Sequence, residues 1–278
     1  MTDLVTTVVI TRDRVDQLLQ TLPRHEGRVI VVDNASSDGT AAAALARCPG
    51  VRVIVLPRNV AGAARNIGVE AATTPFVAFS DDDSWWDPGS LARAAEIMAD
   101  HPSLAVLAAR VVVEPGGRED PFNEVLATSP LAGSPDVPGR PILGFMACAA
   151  MVRREPFLEA GGFHPLLGVG GEEQVLAWDL AARGWDLRYE PSLLVHHEPR
   201  PSGTRGDRRT KALRRSAVIA GLLRRPWPDV GRTVLHGLGA SGPDRAGVGA
   251  AVVRLGPALA GRRVLPRAVR EQIRVLGD

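Results

Sequence analysis

Four apolar, β-branched runs recur at regular intervals near the start of the chain, and they restrict its fold more than any other feature. Val5–Thr11 (VTTVVIT), Arg28–Asp33 (RVIVVD), Val51–Leu56 (VRVIVL) and Phe76–Ser80 (FVAFS) each read as a strand buried on both faces. Between them lie Val15–Leu22, the alanine-rich Thr40–Arg47 and Gly62–Ala72, and a further helix is predicted from Pro88 to Asp100. Strands alternating with helices form right-handed βαβ units. The fold class expected is therefore α/β: a mostly parallel, Rossmann-like sheet flanked by helices. Ligands of such sheets bind at the carboxyl ends of the strands.

Beyond Leu104–Val113 the pattern loosens. Glu114–Arg140, rich in Pro, Gly, Asp and Ser, reads as a long surface excursion. Regularity returns with Ile142–Val152, within which Phe145–Met151 (FMACAAM) predicts a core strand, and helices are predicted near Arg154–Ala160 and Glu172–Arg183, on either side of the glycine-rich Gly161–Gly171. Strands follow around Leu187–Tyr189 and Leu193–His196. From Arg200 the chain reads as basic and helical, with breaks at Pro226, Pro228 and Pro243. Residues 201–278 carry a net charge of +11 against −9 for residues 1–200, which suggests a separate job for the tail. A hydrophobic fraction of 45% supports a packed core. Cys48 and Cys148 fit neither a disulfide framework nor a zinc site. Val5–Ile10 is too short for a signal peptide, and Arg254 interrupts the best apolar stretch, Ala246–Ala260. The expectation is a soluble, cytoplasmic protein.

Each early strand ends in polar residues that the fold brings to one edge. The first ends in Thr11-Arg12-Asp13 and the second in Asp33-Asn34-Ala35-Ser36-Ser37-Asp38. The third opens into Arg58-Asn59-Val60-Ala61-Gly62 and leads to Arg65-Asn66, and the fourth ends in Asp81-Asp82-Asp83. Alone, Asp33 and Asp38 would read as a helix cap and a turn former. Four such ends converging on one crevice read as a ligand site. A dinucleotide fold would carry GxGxxG after its first strand to cradle a pyrophosphate, but TRDRVDQ stands there without a glycine. A carboxylate-lined crevice repels a diphosphate unless a cation intervenes. Asp81–Asp83 thus points to Mg²⁺ or Mn²⁺ bound together with a nucleoside diphosphate.

Five segments in order and register resemble the GT-A-fold glycosyltransferases of family 2. They are VVDNASSDGT (Val31–Thr40), RNVAGAARNIGVEAA (Arg58–Ala72), VAFSDDDSWWDPGSL (Val77–Leu91), EAGGFHPLLGVGGEE (Glu159–Glu173) and YEPSLLVHH (Tyr189–His197). The resemblance implies that Asp33 binds the base or ribose of a nucleotide, that Asp81 faces ribose and sugar, and that Asp83 holds the metal. Thr11, Asp13, Asn34, Asp38, Gly62, Arg65, Asn66, Asp82 and Trp85 are expected to join them around a nucleotide-sugar. Glu172-Glu173 stands where the family has Glu-Asp, whose second acid deprotonates the acceptor hydroxyl. Glu173 takes that role here, one methylene longer, and Glu172 competes for it. His196 or His197 matches a histidine that adds a metal or phosphate contact, with His196 preferred. The resemblance further implies inversion of a UDP-, GDP- or dTDP-sugar and a saccharide, lipid-linked or small-molecule acceptor. Residues 1–100 would form the nucleotide-binding half, 101–200 the acceptor-binding half, and 201–278 a basic helical extension.

Other readings fit less well. A sugar-nucleotide pyrophosphorylase would show a glycine- and arginine-rich loop after the first strand, and a DxDxT phosphatase needs threonine where Trp85 stands. A catalytically inactive binding or scaffold protein would have lost strand-end acids, yet all are present. Trp85 and Trp86 either stack on a sugar ring or pack beside the next helix, and Asp179 is expected to face solvent. In the tail, Arg208, Lys211 and Arg215 form a basic helical stripe. Basic helices with apolar faces suit an anionic membrane surface, which would make the protein peripheral at the inner face. Packing on the acidic body, as a lid or dimer contact, is the alternative. Nucleic acid is disfavoured, because Trp227 is the tail's only aromatic residue. The oligomeric state is open.

Overall fold

The structure, a computed structural model, describes residues 1–168, 170–199 and 206–277. The expected boundary at residues 200 and 201 lies outside the described residues. The strands are β1 (Val5–Thr11), β2 (Arg28–Asp33), β3 (Arg52–Val55), β4 (Phe76–Asp81), β5 (Ser84–Trp86), β6 (Leu104–Val113), β7 (Arg118–Glu119), β8 (Arg140–Pro141), β9 (Ala150–Arg153) and β10 (Asp186–His197). The helices that bear on the site are α1 (Val15–Thr21), α2 (Thr40–Arg47), α3 (Ala64–Ala71), α4 (Ser90–Asp100), α5 (Pro121–Ala127), α6 (Arg154–Ala160) and α7 (Glu172–Ala181). They are followed by α8 (Gly206–Arg224), α9 (Trp227–Gly239), α10 (Gly242–Val252), α11 (Leu255–Ala260) and α12 (Arg267–Val275).

The chain has the α/β class that its alternating pattern dictates. One sheet runs in the order β3-β2-β1-β4-β9-β6-β10-β5, with β7 and β8 appended to β6 and β10. The first four strands are parallel; β9 then enters antiparallel to both β4 and β6, and β10 runs parallel to β6. The sheet is therefore mixed, with its Rossmann-like portion in β1 to β4. Register positions the site. Thr11 pairs with Asp33 across β1 and β2, and Ile10 pairs with Asp81 across β1 and β4.

Burial on both faces explains the apolar runs of β1, β2 and β4, whereas β3, expected to be buried likewise, lies at the sheet edge and is only partly covered. Val8, Val77 and Phe79 point into one core with Phe157 and Phe163, while Phe76 and Ala78 join the other beside Leu91, Ala95 and Met98 of α4. α3 lies close against β1 because Gly68 gives it room. A Cβ at Gly68 would fall 2.9 Å from Cγ2 of Val8 and nearer still to Cγ1. Val8 is β-branched and wholly buried, so it cannot swing aside. Gly68→Ala is expected to destabilise the fold by about 1–3 kcal/mol despite its better helix propensity, which a urea melt checks.

Four expectations are corrected in detail. Glu114–Arg140 is not a bare loop: Asp120 caps α5 by accepting from the Phe122 amide (2.8 Å), and Pro121 occupies its first turn. The core strand predicted over Phe145–Met151 begins only at Ala150 and runs to Arg153, after a 3₁₀ turn at Ala147–Ala149. Two strands expected before His196 form one, β10, bulged between Glu190 and Leu194. The tail is helical, and α8 packs on α7: Val218, Ile219, Leu222 and Leu223 cluster with Val175 and Trp178. Asp179 does not face solvent as expected. Its carboxylate accepts both Nε (2.6 Å) and a terminal nitrogen (2.8 Å) of the buried Arg224, a two-pronged clamp between α7 and α8.

Candidate functional site

An open cleft of about 510 Å³ lies at the carboxyl edge of β1, β2 and β4. Thr11, Asn34, Gly62, Arg65, Asp81, Asp82 and Asp83 line one side, and Glu172 and Glu173 close it from the first turn of α7. His197 enters from the end of β10, and Arg209 and Leu213 come from α8. The strand-end loops are held in unusual shapes. Asp13, Ala35 and Ala61 have φ of 50°, 64° and 52°, a region costly for side chains other than glycine. Hydrogen bonds between loops hold these shapes. Ser37 donates its amide to Asp13 Oδ1 (2.7 Å), and the Asp13 amide donates to Ser36 Oγ (2.9 Å). Asn34 donates from Nδ2 to the Ala61 carbonyl (3.1 Å) and accepts at Oδ1 from the Val60 amide (2.8 Å).

Several expected ligand residues are not among those lining the cleft. Asp33 accepts from the Ser36 amide (2.8 Å), and Asp38 accepts from the amides of Val15 and Thr40 (both 3.1 Å). Asn66 both donates to and accepts from the Phe163 backbone (2.9 Å each), tying α3 to the glycine-rich segment. Two expectations fail geometrically. Trp85 lies outside the cleft, stacked on His196 at 5.1 Å between ring centres with the Arg24 guanidinium 3.9 Å from its own ring centre. His196 bonds Glu114 (3.0 Å) and Asp87 (3.1 Å), not the aspartate triplet. The cause is strand alternation: successive residues of β10 face opposite ways. It is His197 whose Nε2 lies 3.5 Å from Asp83 Oδ1.

Charge balance within the cleft depends on arginines. Arg14 places one nitrogen 3.1 Å from both Asp82 and Asp83, and the buried Arg65 pairs with Asp81. Burial pushes Asp82 up to about 7, against the pull of Arg14. Burial also works on Asp83, but the His197 hydrogen bond and Arg14 hold it below the usual carboxylate range. Burial raises both Glu172 and Glu173. Glu172 is pushed up to about 8, with the neighbouring Glu173 charge adding to the effect and Arg65 opposing it. Oε2 of Glu172 is buried without a hydrogen-bond partner, and a Cβ at Gly62 would sit 2.9 Å from its Oε1. Only glycine lets that loop come so close. The sequence reading missed Arg14, Arg209 and Leu213. The TRDR run signalled the first, but nothing local marked the α8 pair.

Asp83 and His197 offer an oxygen and a nitrogen donor side by side. Among the described residues no group of three or more His, Cys, Asp or Glu is gathered into a cage. A two-donor set facing an open cleft fits a Mn²⁺ or Mg²⁺ ion whose remaining positions are filled by ligand oxygens and water.

The sequence model of the family described as Glycosyl transferase family 2 matches residues 9–161. Over 208 residues the chain is 35% identical to the pre-mycofactocin glycosyltransferase of Mycobacterium tuberculosis (strain ATCC 25618 / H37Rv), covering 70% of this chain and 43% of that protein. The match thus spans less than half of that longer relative. It is 25% identical over 243 residues to the N-acetylglucosaminyl-diphospho-decaprenol L-rhamnosyltransferase of the same strain, with 73% of this chain and 79% of the relative covered. Among solved structures, a mannosyltransferase from Pyrobaculum calidifontis, in complex with GDP-Man and Mn²⁺, superposes with a TM-score of 0.60. Identity there is 22%, covering 99% of this chain and 84% of the other. The shared fold is the GT-A fold.

Proposed function

Because the chain belongs to glycosyl transferase family 2, we propose that it moves a sugar from a nucleoside-diphosphate sugar to an acceptor hydroxyl, inverting the anomeric centre. One observation carries the reading. A single cleft gathers the Asp81–Asp83 triplet, the Glu172–Glu173 pair, the cations Arg14, Arg65 and Arg209, and the His197 imidazole. The acceptor hydroxyl gives its proton to Glu173 as its oxygen bonds the anomeric carbon. The bond from that carbon to the diphosphate breaks, and its electron pair leaves with the nucleoside diphosphate. Glu172, buried against Gly62, holds the second carboxyl in place and shares the pair's proton. Arg209, on the α8 side, faces the departing negative charge. Asp83 and His197 would hold the divalent ion, which supplies charge neutralisation at the leaving diphosphate. The Mn²⁺ and GDP-Man in the Pyrobaculum calidifontis complex, and the diphospho-decaprenol in the rhamnosyltransferase's name, support the donor and acceptor classes.

No helix among the described residues is long and apolar enough to cross a membrane. Any bilayer association would run through the basic extension. A melting screen against UDP, GDP, dTDP and CDP, with Mn²⁺ or with EDTA, tests the donor reading. One or two nucleotides are expected to raise the melting temperature with Mn²⁺ only, and Asp83→Ala should abolish that metal-dependent part. Stabilisation indifferent to EDTA and to Asp83 would reject the metal assignment. Absence of any nucleotide effect would reject the donor class.

A further inference from the structure

A second groove, of about 210 Å³, opens between the Asn59–Ala61 loop and the Pro165–Gly168 segment. Arg215 of α8 and Arg254, between α10 and α11, face it from the extension. Ala61 lines both this groove and the candidate cleft, so the two cavities adjoin. Three neighbouring arginines are committed: Arg214 and Arg224 of α8 pair with Asp244 and Asp179, and Arg225, just after the helix, pairs with Asp229. Among the described residues no carboxylate pairs with Arg215 or Arg254, and Nε of Arg215 is buried without an acceptor. Gly168 leaves room for the Arg215 side chain, since a Cβ there would lie 2.5 Å from one of its terminal nitrogens.

Two guanidinium groups fronting one groove, with no acid among its described lining residues, suit a phosphate or diphosphate. Arg254 also sits within an apolar rim. Val252 at the end of α10 (65% exposed), Val253 in the junction (82%), and Leu255 and Leu259 of α11 (40% each) flank it in sequence. Soluble proteins seldom leave such residues bare in a cluster. A free sugar phosphate would use the arginines and ignore the rim.

We propose that this groove is the acceptor's anchoring site and that the acceptor is an amphiphile, a phosphate or diphosphate ester of a long apolar alcohol. The phosphate lies between Arg215 and Arg254, the apolar chain runs over Val252–Leu259, and the hydroxyl end passes Ala61 toward Glu173. The proposal rests on the glycosyl-transfer reading and names the substrate class of that site.

Calorimetric titration of the full chain tests it, with farnesyl diphosphate, inorganic pyrophosphate and farnesol as separate probes. The cleft is first saturated with Mn²⁺ and whichever nucleoside diphosphate raises the melting temperature, which keeps the probes out of the donor site. Farnesyl diphosphate is expected to bind, with pyrophosphate and farnesol each weaker by about tenfold or more. Losing charge-assisted contacts in Arg215→Gln/Arg254→Gln should weaken it by about tenfold or more, while the nucleotide-induced melting shift stays intact. Arg254→Gln alone, at an exposed position, should show a smaller loss in the same direction without any folding defect. Pyrophosphate binding as tightly as farnesyl diphosphate overturns the proposal, and so does affinity indifferent to Arg254. If no nucleoside diphosphate binds the wild type, the donor reading falls. The titrations are then run without nucleotide, and dependence on the arginines still decides the groove.

Discussion

Glu173→Gln is expected to bind nucleoside diphosphate and Mn²⁺ as the wild type does, yet to lose turnover by about 10²- to 10⁴-fold, the usual contribution of a general base. The amide keeps the side chain's size and removes only its ability to take a proton. Single-turnover transfer, measured beside the nucleotide melting shift, separates the two effects. A Glu172→Gln variant that loses as much would mean that the pair works as one proton acceptor. The pH profile carries the same signature. Burial raises both acids, Glu172 to about 8. The base must be ionised to act, so the rate should climb with pH and reach its plateau above the ordinary carboxylate range, because burial raises Glu173. Stability should move the opposite way. A carboxyl whose folded value lies above its ordinary 4.5 favours the fold fully below that value, and the advantage is lost as pH rises to about 8. Glu172→Gln should flatten that slope and be more stable than the wild type at alkaline pH.

Arg224→Met is expected to cost about 3–5 kcal/mol, the largest single loss of stability among these variants. Its guanidinium is only 3% exposed and makes two bonds to Asp179, with further donations to the carbonyls of Leu223 (3.0 Å) and Gly261 (3.2 Å). Removing it leaves the Asp179 carboxylate enclosed without a counter-charge, which costs more than the pair itself contributes. Urea denaturation measures the loss. Arg224→Met/Asp179→Leu should recover most of it, because the stranded charge is gone. Equal destabilisation of the single and double variants would mean that Arg224 acts through shape alone.

The cleft acids and the α/β class could be read from the chain because each rests on a local pattern. Asp81–Asp83 follows its own strand directly, and Glu172–Glu173 opens its own helix. What escaped depends on the direction of a side chain or on distance along the chain. His196 and His197 are neighbours in sequence, and only the pairing of His197 with Ser84 across β10 and β5 decides which turns toward Asp83. Arg14 meets Asp82 and Asp83 across nearly seventy residues, and Asp179 meets Arg224 across 45. No periodicity reports such pairs. α5 was available to a closer reading, since Asp120-Pro121 is a helix-start signal inside a segment otherwise rich in turn formers.

One helix joins the two halves of this design. α7 offers Glu172 and Glu173 to the cleft at its first turn, and two turns later its Asp179 is gripped by Arg224. The extension that grips it also supplies Arg209 and Leu213 to the same cavity. Exchanging the C-terminal helices between relatives would therefore replace part of the substrate chamber along with the bracket that aligns the acids. Chimeras cut after β10 should differ in selectivity and in rate, even when every residue of the glycosyl-transfer motifs is left untouched.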